Sequence, residues 1–125
     1  MPPIRLLYAE DDPDTRELIV LALQLKGFEV VCPPNLKDFL RLAKDEAWHL
    51  FMLDTWMPEI NGLELCRRIR EFDPQTPIVF YSGAAFERDR KKALEHGACD
   101  YIVKPIEFDL LAERLKAAVD SAPIP

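Results

Sequence analysis

The feature that most constrains this chain is its rhythm: five short apolar runs alternate with five stretches of helical periodicity, joined by short turn-rich links. A short apolar run bounded by turn residues favours a strand, whereas apolar residues recurring every three or four positions favour a helix. The first run is Ile4 to Ala9. Asp12 follows as an N-cap, and Pro13 takes the first helical position, where its missing N–H costs nothing. Leu18, Leu21, Ala22 and Leu25 recur at helical spacing and are the expected buried stripe of that helix, which Gly27 ends. Phe28 to Cys32 reads as a second strand, Leu36 to Lys44 as a helix and Trp48 to Leu53 as a third strand. After a turn from Pro58 to Gly62, Leu65, Ile69 and Phe72 line a third helix. Pro77 to Tyr81 is a fourth strand, Phe86 to His96 a fourth helix capped by Gly97, and Cys99 to Val103 a fifth strand. Glu107 to Ser121 closes the pattern as a helix with Leu111, Leu115 and Ala118 on one face.

The third and fourth strands are continuous apolar runs. Such strands are buried on both faces, as in a parallel sheet covered by helices on each side. Strict alternation of strand and helix makes the crossovers right-handed and predicts an α/β doubly wound (βα)5 sandwich with a five-stranded parallel sheet. Ligands of such folds bind beyond the carboxyl ends of the strands.

With 125 residues, 49% of them hydrophobic and 30% charged, one soluble domain over residues 1–121 is expected, with 122–125 a tail or linker stub. The net charge is −6, and the nearest basic run, Arg88, Arg90, Lys91 and Lys92, is diluted by Asp89 and Glu95. It reads as a solvated helix face, so no direct nucleic-acid contact is expected. Cys32, Cys66 and Cys99 are widely spaced, without a zinc pattern, and read as reduced, mostly buried residues. No signal-like leader or membrane span is visible, so a cytoplasmic location is expected.

The strand ends carry the chemistry. Glu10, Asp11 and Asp12 follow the first strand, Asp54 the third, Ser82 the fourth and Lys104 the fifth. Helix-start electrostatics account for the acids from Glu10 to Asp14, but not for Asp54 directly after a buried strand. Carboxylates gathered without a cation repel one another and so imply a metal; hard oxygen ligands and a phosphate partner point to Mg²⁺.

Four motifs in order resemble those of response-regulator receiver domains, over Ile4 to about Ser121. They are Leu7-Tyr8-Ala9-Glu10-Asp11-Asp12-Pro13, Leu53-Asp54-Thr55-Trp56-Met57-Pro58 with Asn61-Gly62, Tyr81-Ser82-Gly83-Ala84, and Tyr101-Ile102-Val103-Lys104-Pro105. The resemblance implies a flavodoxin-like strand order of 2-1-3-4-5. It also implies that Asp54 is the phosphoacceptor and that Glu10, Asp11, Asp54 and the backbone carbonyl of Trp56 hold Mg²⁺. Ser82 and Lys104 would bind phosphoryl oxygens, Tyr101 would turn inward when Ser82 moves, and the Lys104–Pro105 bond would be cis. The implied partner is a histidine kinase or histidine phosphotransfer protein. The output face would be the fourth helix, fifth strand and fifth helix, read by an effector the sequence does not name. Such a domain catalyses only its own phosphorylation and slow dephosphorylation, and is not otherwise an enzyme.

Departures from the pattern are visible. Glu10 replaces the more frequent Asp, so its longer side chain is expected to reach the metal through water. Trp56 is bulky, and neither it nor Ala84 carries an acid or amide to orient a hydrolytic water, which predicts slow self-dephosphorylation. Arg90, Asp100 and Arg114 match part of the charge set of the winged-helix regulators' dimers, whereas Cys99, Leu110 and Ala117 break it. His49, in a strand, and His96, at a helix end, are expected to be structural. A haloacid-dehalogenase-type phosphatase needs a second Asp two residues after its nucleophile, where Trp56 stands. A flavin or nucleotide carrier needs a phosphate-binding first loop, which Glu10, Asp11 and Asp12 would repel. The remaining alternative is a phosphorylation-independent docking module.

Overall fold

The structure is a computed structural model and describes residues 2–122. Its elements are β1 (Ile4–Ala9), α1 (Pro13–Gln24), β2 (Phe28–Val31), α2 (Leu36–Asp45), β3 (Leu50–Leu53), α3 (Gly62–Phe72), β4 (Ile78–Ser82), α4 (Glu87–Glu95), β5 (Asp100–Val103) and α5 (Phe108–Asp120). The five strands form one sheet in the order β2-β1-β3-β4-β5, every pair parallel. Of the tail, Pro123, Ile124 and Pro125 lie outside the described residues.

Strand alternation divides the core in two. On one face Leu6, Tyr8, Leu50, Met52, Val79 and Ile102 pack with Ile19 and Leu23 of α1 and Leu111 and Leu115 of α5. On the other, Leu7, Phe51, Leu53, Ile78 and Phe80 pack with Phe39 of α2, Leu65 and Ile69 of α3 and Ala93 of α4. Both faces of β3 and β4 are therefore dry, which is why Leu50–Leu53 and Ile78–Phe80 are apolar at every position. Each fully buried Leu, Ile or Phe contributes about 1.5–3 kcal/mol relative to an exposed one.

The expected stripe of α1 is wrong. Ile19, Ala22 and Leu23 are buried, while Leu18, Leu21 and Leu25 are 54%, 55% and 86% exposed. Leu18 to Leu23 is apolar without a break, so two stripes one residue apart satisfy the same period. Their difference in direction is about 100° around the helix. The position of β2 and α5 selects between them.

β3 starts at Leu50, two residues later than predicted. Trp48 is buried outside the sheet, its indole donating to the Leu42 carbonyl at 2.9 Å beneath the Arg5 guanidinium. His49 precedes the strand and is exposed; its Nδ1 accepts the Arg5 backbone N–H at 2.9 Å. His96 sits at the C-cap of α4, its Nδ1 2.7 Å from the Lys92 carbonyl oxygen. Gly27 and Gly97, at φ 93° and 106°, leave α1 and α4 through a conformation that disfavours a Cβ. The cysteines are free, but only Cys66 is buried; Cys32 is half-buried and Cys99 exposed, because Cys99 lies in the α4–β5 link. Asp100 and Arg114 form a bidentate pair within the chain, at 2.6 and 3.0 Å.

Candidate functional site

Parallel pairing brings the strand ends to one edge. Ala9 is in register with Leu53, Leu53 with Phe80, and Ser82 with Val103. The residues that follow β1, β3 and β5 therefore meet: Glu10 and Asp11, Asp54, and Lys104. One carboxylate oxygen from each of Glu10, Asp11 and Asp54 lies within 4.8 Å of the others. Glu10 and Asp54 are buried, and Asp11 is exposed. The Lys104 ammonium is 2.6 Å from Glu10 Oε1 and 3.5 Å from Asp54 Oδ2. Burial pulls the Lys104 pKa down, but its hydrogen bond to Glu10 and the charges of Asp54 and Glu10 outweigh that and hold it above the ordinary lysine value.

Three acidic side chains facing one ammonium is an uneven set. At about 4 Å, like charges repel by roughly 4 kcal/mol at an effective dielectric near 20. The donors are all hard oxygens and one of the carboxylates faces solvent, which fits a hydrated divalent cation such as Mg²⁺.

The loop after β3 is built around Asp54. Its backbone N–H donates to the Ala9 carbonyl at 3.2 Å, and its Oδ1 accepts the Trp56 N–H at 3.4 Å. The Trp56 indole is 68% exposed. Gly62, at the start of α3, closes the loop by donating to the Thr55 carbonyl at 2.9 Å. A Cβ on Gly62 would stand 2.3 Å from the Asp54 carbonyl oxygen and 2.7 Å from the Phe80 ring, so this position has no room for a side chain. Asn61 caps α3, accepting the Glu64 N–H.

Ser82 is fully buried at the end of β4, and its Oγ accepts the Ala84 N–H at 3.2 Å. Lys104 N–H donates to the Ser82 carbonyl at 2.8 Å, and the Lys104–Pro105 bond is cis, as expected. Tyr101 is the residue expected to act as the switch. It is already inward, 4% exposed, with its ring stacked on Phe80 at 5.7 Å. Its hydroxyl donates to the Ala84 carbonyl at 2.6 Å. That uses the only phenolic hydrogen, so the 3.3 Å contact with Thr55 runs from the Thr55 hydroxyl to the Tyr101 oxygen.

Two contacts were not read from the sequence. Thr55 joins the Asp54 loop to Tyr101, and the Tyr8 hydroxyl donates to Glu10 Oε1 at 2.9 Å. The Tyr8–Glu10 spacing of two offered a signal, since alternate strand residues share a face. Burial and the adjacent Glu10 charge push the Tyr8 phenol far above the ordinary tyrosine range, so it keeps the proton it donates to Glu10.

The sequence and the fold both have relatives among known proteins. The family description "Response regulator receiver domain" matches residues 6–116. The response regulator ArlR of Staphylococcus saprophyticus is 34% identical over 119 residues, covering 95% of this chain and 54% of ArlR. The chain thus spans about half the length of the curated relatives it matches. Among solved structures, a response regulator from Thermotoga maritima superposes with a TM-score of 0.85 at 28% identity, covering 95% of this chain and 99% of that one. A CheY-like receiver domain protein from Methanospirillum hungatei gives 0.87 at 25% identity, with 94% of each chain covered. Strand order, the acid-lined edge and a match over nearly the whole chain agree, and the chain belongs to the response-regulator receiver family.

Proposed function

We propose that this domain takes a phosphoryl group onto Asp54 from a histidine kinase or histidine phosphotransfer protein. The observation that carries the reading is the meeting of Glu10, Asp11 and Asp54 within 4.8 Å, with Lys104 between Glu10 and Asp54. Phosphoryl transfer asks a protein chiefly for position and charge neutralisation. An Asp54 oxygen attacks phosphorus in line, the P–O bond forms as the P–N bond to the donor imidazole breaks, and the electron pair leaves with nitrogen. The Lys104 ammonium offsets charge on one phosphoryl oxygen. Ser82 Oγ, which accepts from Ala84 and keeps its own hydrogen, donates to another. Glu10, Asp11, Asp54 and the Trp56 carbonyl would hold Mg²⁺, which supplies further neutralisation of the equatorial oxygens.

Phosphorylation would then alter the face of α4, β5 and α5 that a downstream effector reads, with Tyr101 as its internal contact. The domain works on itself alone and turns over no other substrate. A cytoplasmic location goes with a kinase partner; among the described residues no helix is long and apolar enough to cross a membrane. Acetyl phosphate with MgCl₂ should add one phosphoryl group by intact mass, and Asp54→Asn should add none. Equal labelling of Asp54→Asn overturns the acceptor assignment, and an unlabelled parent favours a docking module that works without phosphate.

A further inference from the structure

Glu10 is the most enclosed of the acids, its side chain only 1% exposed. A carboxylate taken out of water needs fixed partners. Its two oxygens are treated differently. Oε1 accepts two hydrogen bonds, from Tyr8 at 2.9 Å and Lys104 at 2.6 Å. Oε2 has the Asp12 backbone N–H at a long 3.3 Å. Tyr8 is fully buried, its ring in the core shared by β1, α1 and α5, so its hydroxyl cannot swing away without unpacking that core.

We propose that Tyr8 is a positioning residue for the cation site: with Lys104 it occupies Oε1 of Glu10 and so leaves Oε2 for the metal. The inference rests on the Mg²⁺ reading above and deepens it. It also accounts for a glutamate at this position. An aspartate is one methylene shorter and would draw its carboxylate away from the Tyr8 hydroxyl, so Tyr8 and Glu10 work as a matched pair. Bound this way, Glu10 reaches the cation directly and needs no intervening water.

The probe is MgCl₂ alone, followed by amide chemical shifts in the parent, Tyr8→Phe, Glu10→Asp and the double variant. Tyr8→Phe removes one oxygen and keeps the ring in the core, and the same spectra report whether each variant is folded. Tyr8→Phe should weaken Mg²⁺ binding by about tenfold, the lower range for loss of a group that orients a metal ligand. In the Glu10→Asp background the same change should alter the Kd by less than about twofold, because the contact is already lost. An unchanged Kd for folded Tyr8→Phe, or the same tenfold loss in both backgrounds, overturns the positioning role. A parent that shows no Mg²⁺-dependent shifts overturns the metal reading itself, and the role of Tyr8 with it.

Discussion

Strand β1 carries a charge cluster at each end, and the two are built differently. At its start, Arg5 donates from Nε to Glu29 at 2.7 Å, from Nη2 to Glu46 at 2.8 Å and from Nη1 to the Ala47 carbonyl at 2.7 Å. The Glu29 and Glu46 side chains are 50% and 43% exposed, so water screens the acid without a second base. These hydrogen bonds hold the Arg5 pKa above its ordinary value. At the other end, the side chains of Glu10 and Asp54 are 1% and 10% exposed, and the one lysine pairs with these two while Asp11 adds a third acid. Neither cluster is balanced by count. What separates them is burial: one surplus charge is dissolved in water, and the other is mostly shut away from it.

Breaking either cluster at its cation gives the sharpest contrast. Lys104→Ala should slow phosphorylation by acetyl phosphate about 10²–10³-fold, the usual loss for one charge-stabilising group. Arg5→Ala, at the far end of the same strand, should leave that rate unchanged and only lower the melting temperature. Equal rate losses would mean that Lys104 acts through the fold instead of through the phosphoryl group. A smaller effect concerns the rim of the acidic end. Trp56 and Ala84 offer no acid or amide to a hydrolytic water, so Trp56→Asn with Ala84→Glu should speed loss of phosphate about ten- to a hundredfold. Decay of the phosphorylated protein by mass spectrometry measures it, and an unchanged rate would show that neither side chain governs the water.

The strand pattern and the acidic edge were legible because both are local. A parallel strand buried on two faces must be apolar throughout, and an acid placed directly after one has no packing role. What was not legible depends on distant contacts. The face that α1 buries is set by β2 and α5, and its apolar run fits two stripes equally. Trp48 looks like strand but is held by Arg5 and Leu42, partners the β3 pattern does not contain. The inward seat of Tyr101 depends on Thr55 and Ala84, 46 and 17 positions away. The Tyr8–Glu10 hydrogen bond likewise depends on how the end of β1 packs, which the acidic motif alone does not specify.

A further, still smaller contrast is conservative at the acidic end. Thr55→Val keeps shape but deletes the hydroxyl that Tyr101 accepts, so it should cost about 0.5–1.5 kcal/mol, the net worth of one hydrogen bond. Chemical denaturation measures that loss, and a stability equal to the parent would show that the Thr55–Tyr101 contact contributes nothing.

On the function proposed above, a cation neutralises the acidic charge gathered at the carboxyl edge of the sheet. Thermal melting of the parent and Asp54→Asn, each with and without MgCl₂, tests it directly. Without metal, Asp54→Asn should melt higher, because one repelling group is gone. Mg²⁺ should then raise the parent more than the variant, by about 2.7 kcal/mol in the parent at a hundredfold excess over Kd. If Asp54→Asn instead melts lower without metal, and Mg²⁺ moves neither protein, the acids are a self-sufficient structural cluster and the account is wrong.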